Sequence, residues 1–362
     1  MLIYAVVLGT CLLLLMGAHF GSAGQRRQIT LLCVFGLTFF AAMRGLVGTD
    51  TYAYHTMFTE FGDENLSDII LIVEPMFAAL IKVTALLSDD PFVFTALIGL
   101  IQGFLLAQVV ATSKHPLDFL LIYATIFYLS FHFNILRAGT AILLLILAMR
   151  IPKEDKNQSM FYVFGVTAIL FHYSAIIGFL PLLIFRLATT RSRAMIVALL
   201  VSFLAFTYYA IPAGELVPVR YLAYADILAA DASSSISLSL VLGLPLYLML
   251  YISAVNRANL FVLTLVFVVW LAIRWLTSVF SLVGRVEVII NSLLLFSIIE
   301  FALTGWRYKL RKVAIIGLTV MWFAGSLVGL KEESAILDNL GVTTGIYSMS
   351  PYVPYKFIWD EN

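Results

Sequence analysis

The chain is apolar along most of its length, and its chemistry-bearing residues gather at the few places where apolar runs break. Arg44 opens Arg44-Gly45-Leu46-Val47-Gly48-Thr49-Asp50-Thr51-Tyr52, the first polar stretch after two apolar runs. Asn134 and Arg137 lie in Phe131-His132-Phe133-Asn134-Ile135-Leu136-Arg137, and His172 lies in Leu170-Phe171-His172-Tyr173-Ser174-Ala175. Further on, Arg220 begins Arg220-Tyr221-Leu222-Ala223-Tyr224, Trp270 and Trp275 flank Arg274, and Arg285 follows. A guanidinium matches phosphate oxygens with a planar fork and keeps its charge at any relevant pH. Arg44, Arg137, Arg220, Arg274 and Arg285 therefore read together as a binding pool for a pyrophosphate-bearing ligand, joined by Asn134, whose i, i+3 spacing to Arg137 puts both on one helix face. Any one of these arginines could equally snorkel to a headgroup or pair with a loop carboxylate, and their convergence is what points to an anion. His172 and Asp50 are the two candidates for a general base, because a neutral imidazole accepts a proton near neutrality and a carboxylate does so well below it.

The surrounding composition says what must position them. Of 362 residues, 62% are hydrophobic and only 12% charged, and mean hydropathy is +1.01. A soluble globular domain carries about 25% charged residues, so this is an all-α polytopic membrane protein built as one integral membrane domain over 1–362. The net charge of +1 excludes the basic face of a nucleic-acid binder. Cys11 and Cys33 both fall in apolar runs and support neither a disulfide framework nor a thiolate metal site. There is no Walker-type phosphate loop, no His-Glu-x-x-His and no Cys-x-x-Cys, so no cofactor and no dedicated metal cage are expected.

Apolar runs at 2–19, 29–43, 91–113, 117–130, 136–150, 159–171, 174–187, 194–211, 239–255, 260–279, 286–304 and 313–330 predict about twelve transmembrane helices. The first has no basic residue before it and reads as a retained span. With the N-terminus outside, Arg26, Arg27, Lys114, Arg150, Arg186 and the Arg307–Lys312 cluster all fall in the cytoplasm, as the positive-inside rule asks. That parity holds only if 52–90 does not cross the bilayer. Glu74-Pro75 and Lys82 would be costly in a lipid-facing span, so 52–60 and 75–87 are expected as helices at the outer face. The large outer loops are then 44–90, 212–238 and the tail 331–362.

Arg44-Gly45, Gly48-Thr49-Asp50-Thr51-Tyr52, Glu74-Pro75-x-Phe77, Asn134-x-x-Arg137 and His172-Tyr173-Ser174-Ala175 occur in an order that resembles the EpsG-like members of the Wzy-type bacterial polysaccharide polymerases. The resemblance covers the first half of the chain by motif and the second by hydropathy and an outer arginine. One departure is Ala138, where the family usually has Gln after the arginine. An acidic residue after a span, followed by two interfacial helices, is also similar to the GT-C glycosyltransferases.

The resemblance implies a metal-independent glycosyltransferase in the bacterial inner membrane, with its active site facing the periplasm. Its donor and acceptor would be undecaprenyl-pyrophosphate-linked oligosaccharide repeat units, and a chain-length regulator would be a candidate partner. Two alternatives remain beside it: a transporter or flippase of the same lipid-linked oligosaccharide, and a ligase that passes finished glycan to another acceptor.

Overall fold

The computed structural model describes residues 2–48, 50–151, 157–187, 248–249, 251–253, 284–300 and 305–339. Among them every regular element is helical. The order is α1 (Leu2–Ala18), α2 (Ala23–Ala42), α3 (Thr51–Phe61), α4 (Leu66–Ile69), α5 (Pro75–Ala85), α6 (Pro91–Thr112), α7 (Pro116–Ile122), α8 (Leu136–Arg150), α9 (Gln158–Phe171), α10 (Ile176–Leu187), α11 (Gly284–Glu300) and α12 (Gly305–Asn339). Two π-helical turns, Tyr123–Phe127 and Ser130–Asn134, carry the chain from α7 toward α8, and a 3₁₀ turn, Tyr173–Ala175, joins α9 to α10. The expected spans at 194–211 and 260–279, and most of 239–255, lie outside the described residues.

Helix starts follow local chemistry. Ser22 and Gln25 form a reciprocal capping box at the head of α2, and the Asp90 carboxylate accepts from the Phe92 N–H at the head of α6. Pro75, Pro91 and Pro116 each occupy a first turn, where a missing N–H costs nothing.

By length and composition, α6 is the one described helix able to cross a bilayer by itself, while Ile3–Ala18, Pro75–Ala85, Pro116–Phe127, Gln158–Phe171 and Val288–Ser297 are apolar but shorter. Large apolar side chains nevertheless face outward on several helices, among them Leu13, Leu32, Phe35, Phe104, Val163 and Val320. α2 and α6 approach closely, since a Cβ on Gly103 would collide with the Thr38 side chain. The longest element is α12, whose 35 residues extend about 52 Å. It runs on through 331–339, so the expected outer tail begins as helix instead of loop.

The segment between α2 and α6 folds into a cap. α3 and α5 are 11 residues each, about 16 Å long, roughly half of what hydrocarbon requires. They match the helices expected at 52–60 and 75–87, and α4 is an extra short turn between them. A second, smaller core of Tyr54, Phe58, Ile69, Val73, Phe77 and Ile81 packs them onto Phe94 and Ile98 of α6 and Leu136 of α8. Lys82 donates to the Gly62 carbonyl at 2.5 Å and ties α5 to the end of α3. At the far end of α6, Arg150 donates to the Val109 carbonyl and to Thr112. The bundle therefore has two chemically distinct ends, the cap end at the start of α6 and α8 and the opposite end at their finish.

Candidate functional site

The cap end owes its shape to two broken helices. The second π turn stops at Asn134, Ile135 leaves the helical region (φ −88, ψ 59), and α8 starts at Leu136. A break of this kind frees carbonyls that must find donors away from water. The Gln102 side-chain amide of α6 supplies two, to the Phe131 carbonyl at 3.0 Å and the Leu136 carbonyl at 2.9 Å. Thr51 reaches the Phe133 carbonyl at 3.3 Å. Gly48, at φ +105, lies so close that a Cβ there would strike the Phe133 carbonyl oxygen, which only glycine permits. The second break is at His172, extended at φ −157 after the last turn of α9.

Glu74 meets both breaks. It caps α5 with its backbone but makes no side-chain cap hydrogen bond. Instead its carboxylate divides: Oε2 accepts from Arg137 Nη1 at 2.6 Å, and Oε1 faces His172 Nδ1 at 3.0 Å. The guanidinium carbon of Arg137 lies 5.3 Å from the Phe77 ring centroid and 5.9 Å from that of Tyr54. Burial works against charge on Glu74, but the His172 hydrogen bond and the Arg137 charge outweigh it and hold the carboxyl down to about 2. An ionised carboxylate only accepts, so the hydrogen bond between Oε1 and the ring is made in the tautomer that carries its hydrogen on Nδ1. In the neutral ring Nε2 then bears the lone pair. That atom is buried and has no hydrogen-bond partner among the described residues.

The sequence-derived residues fall in different places. Arg137 and His172 are brought together through Glu74. Asn134 ends the π turn, half-buried, but the kink at Ile135 puts it on a different helical segment from Arg137, so the shared face inferred from their spacing does not exist. Arg44 is buried at the end of α2 with its guanidinium 5.1 Å from the Phe133 ring centroid. Burial and then the Arg44 charge push the His55 imidazole down to about 4. Asp50 stands at the head of α3 and spends no side-chain hydrogen bond on the cap. Its charge acts with burial to push the Tyr54 hydroxyl up, against the opposing pull of Arg137.

Arg220 and Arg274 lie outside the described residues. Arg285 is in the first turn of α11, a helix that packs on the 3₁₀ turn after His172 and whose Ile299 carbonyl, near the other terminus, accepts from Arg311. Its backbone therefore starts at the cap end.

Sequence reasoning missed Glu74 and Tyr54 as members of this cluster. In the sequence Glu74 stands out as a carboxylate too costly for a lipid-facing helix and as part of Glu74-Pro75-x-Phe77. The same cost argument carries further, because a buried carboxylate needs partners of its own.

An all-helical bundle with two interrupted helices, capped by short helices and holding a guanidinium–carboxylate–imidazole cluster at one end, defines the class of protein. A family profile described as EpsG family matches residues 28–357, and the chain belongs to that family, which is associated with exopolysaccharide biosynthesis. Neither a curated protein nor a solved structure matches the chain significantly.

Proposed function

We propose that the protein is a polysaccharide polymerase of the inner membrane, joining lipid-linked oligosaccharide repeat units at the periplasmic face. The observation that carries this reading is Glu74 held between Arg137 and His172, with His172 Nε2 buried and unpartnered among the described residues. A hydroxyl of the acceptor sugar, donating to Nε2, would lose its proton there as its oxygen attacks the anomeric carbon of the donor glycan. The bond from that carbon to the pyrophosphate breaks, and the departing undecaprenyl pyrophosphate takes the electron pair. Arg137 meets the negative charge that develops. The guanidinium pairs with the Glu74 carboxylate and stays 22% exposed, which leaves it able to meet a second anion. The leaving group is already activated, so neither ATP nor a divalent metal is needed.

About twelve spans, GT-C-like, with α3 to α5 as outer interfacial helices, complete the reading. The outward apolar side chains and the length and apolar composition of α6 support lipid surroundings. Basic residues at the Arg150 end and the acidic cap at the other agree with an outer cap. Arg44, Asn134, Arg220, Arg274 and Arg285 remain candidate contacts for pyrophosphate or glycan. The test is a host strain carrying His172→Ala at matched protein level. Single repeat units should accumulate at the expense of long glycan. Loss of all lipid-linked units from the periplasmic leaflet would favour a flippase, long free glycan on its lipid carrier would favour a ligase, and unchanged polymer would remove His172 from the reaction.

A further inference from the structure

Glu74 does more than neutralise an arginine. Its two oxygens are split between a permanent cation on α8 and a ring at the α9 break, from an N-cap position where it makes no side-chain capping bond. The groups facing it are Arg137 from α8 and His172 from the end of α9, while Tyr54 of α3, with the Asp50 charge acting on it, lies against Arg137. We propose that Glu74 is a positioning residue that fixes His172 in its Nδ1–H form and couples that ring to anion binding at Arg137. The proposal rests on the polymerase reading for its substrate, a lipid-linked diphosphate, but its geometry stands apart from the reaction.

The coupling follows from shared charge. Arg137 and His172 draw on one carboxylate, and a diphosphate that engages Arg137 takes guanidinium charge away from Oε2. The carboxylate then bears a larger uncompensated charge and holds Nδ1–H more firmly. The lone pair on Nε2 gains electron density as a result. Arrival of the donor at the arginine thus readies the ring that receives the acceptor's proton.

The experiment uses the full chain in lipid nanodiscs with ¹⁵N-labelled histidine. The chain has five histidines, so each is assigned by single substitution. In the wild type His172 should report the Nδ1–H tautomer alone. Adding inorganic pyrophosphate should shift its ¹⁵N resonances while those of His19 and His115, at the opposite end, stay still. In Glu74→Gln the single tautomer should be lost and the pyrophosphate response should vanish, whereas Glu74→Asp should restore part of both. Turnover in Glu74→Gln should fall about 100-fold, the lower end of what a general base contributes, with donor KM nearly unchanged. An Nε2–H tautomer in the wild type, or no response to pyrophosphate there, overturns the proposal without any variant having to fold. So does a response that persists in Glu74→Gln. If instead the tautomer and coupling behave as stated while His172→Ala cells make normal polymer, the reaction assignment fails and the coupling stands.

Discussion

Two buried carboxylates at opposite ends of the bundle make different uses of similar surroundings. Asp118, at the head of α7, is 2% exposed and sits among Lys312 at 2.5 Å, His19 at 3.7 Å and Arg311 at 3.9 Å. Those partners come from the end of α1 and the start of α12, so the cluster sews the first and last described helices to α7. Arg311 itself is fully buried and donates to the Ile299 carbonyl of α11. Glu74 is 6% exposed and also holds a cation, but its second oxygen goes to an imidazole whose far nitrogen finds no described partner. Asp118 spends its contacts on Lys312 and Arg311, with the His19 ring farther off and itself beside Lys312, and so gives cohesion, whereas the ring hydrogen-bonded to Glu74 gives a site where a proton can arrive. Removing one member of a buried ion pair costs about 3–5 kcal/mol because the other charge is stranded, so both clusters resist change for stability and only one is expected to matter for turnover.

The sharpest break of that comparison sets His172→Ala against Asp118→Asn. His172→Ala is expected to cut polymerisation by about 100-fold or more at unchanged protein level. Asp118→Asn is expected to lower the melting temperature and the amount of protein while folded molecules keep their turnover. Polymer formed per folded molecule, measured in both, would erase the distinction if Asp118→Asn proved the more damaging.

Arg137→Lys comes next. Lysine keeps the charge toward Glu74 but loses the planar fork, so glycan length should fall nearly as far as in Arg137→Ala. Arg26→Lys, exposed on α2, should change nothing. Full-length glycan from Arg137→Lys would reduce Arg137 to a counterion like Lys312.

A smaller effect concerns pH. Folding holds Glu74 below its ordinary value, so its contribution to stability is complete above about pH 4.5 and is lost as pH falls toward about 2. The gap in melting temperature between wild type and Glu74→Gln should stay constant from neutrality to about pH 5 and close only below that. A gap that closes near pH 6 would contradict a carboxylate held down by Arg137 and His172.

The smallest expected effect is none at all. Among the described residues no group of three or more His, Cys, Asp or Glu side chains converges as a metal site would. Purified protein should polymerise its lipid-linked substrate with EDTA present. Activity lost in chelator and restored by one divalent ion would turn attention to Asp50 and the acidic residues of the cap.

Much of the cap end was legible residue by residue. The polar interruptions at Phe131–Arg137 and Phe171–Ala175 marked helix breaks because apolar runs cannot absorb Asn, Arg and His without a reason. Pro75 marked the start of α5 and Lys82 argued against a span. Spacing failed where it assumed a continuous helix, between Asn134 and Arg137, because π turns and the Ile135 kink are set by Gln102, Thr51 and Gly48 from elsewhere in the chain.

The sequence by itself determined an apolar, helical, membrane-type chain, its family, the places where its helices break, and the arginine and histidine at those breaks. All of these depend on neighbouring residues, whose hydropathy, caps and prolines act over a turn or two. Only the tertiary structure decided that Glu74 stands between Arg137, 63 residues away, and His172, 98 residues away. That meeting requires α5 to lie against α9 at the head of α8, and no local pattern encodes it. It is the packing of the small cap core on α6 and α8 that turns a costly carboxylate into the link between a guanidinium and an imidazole.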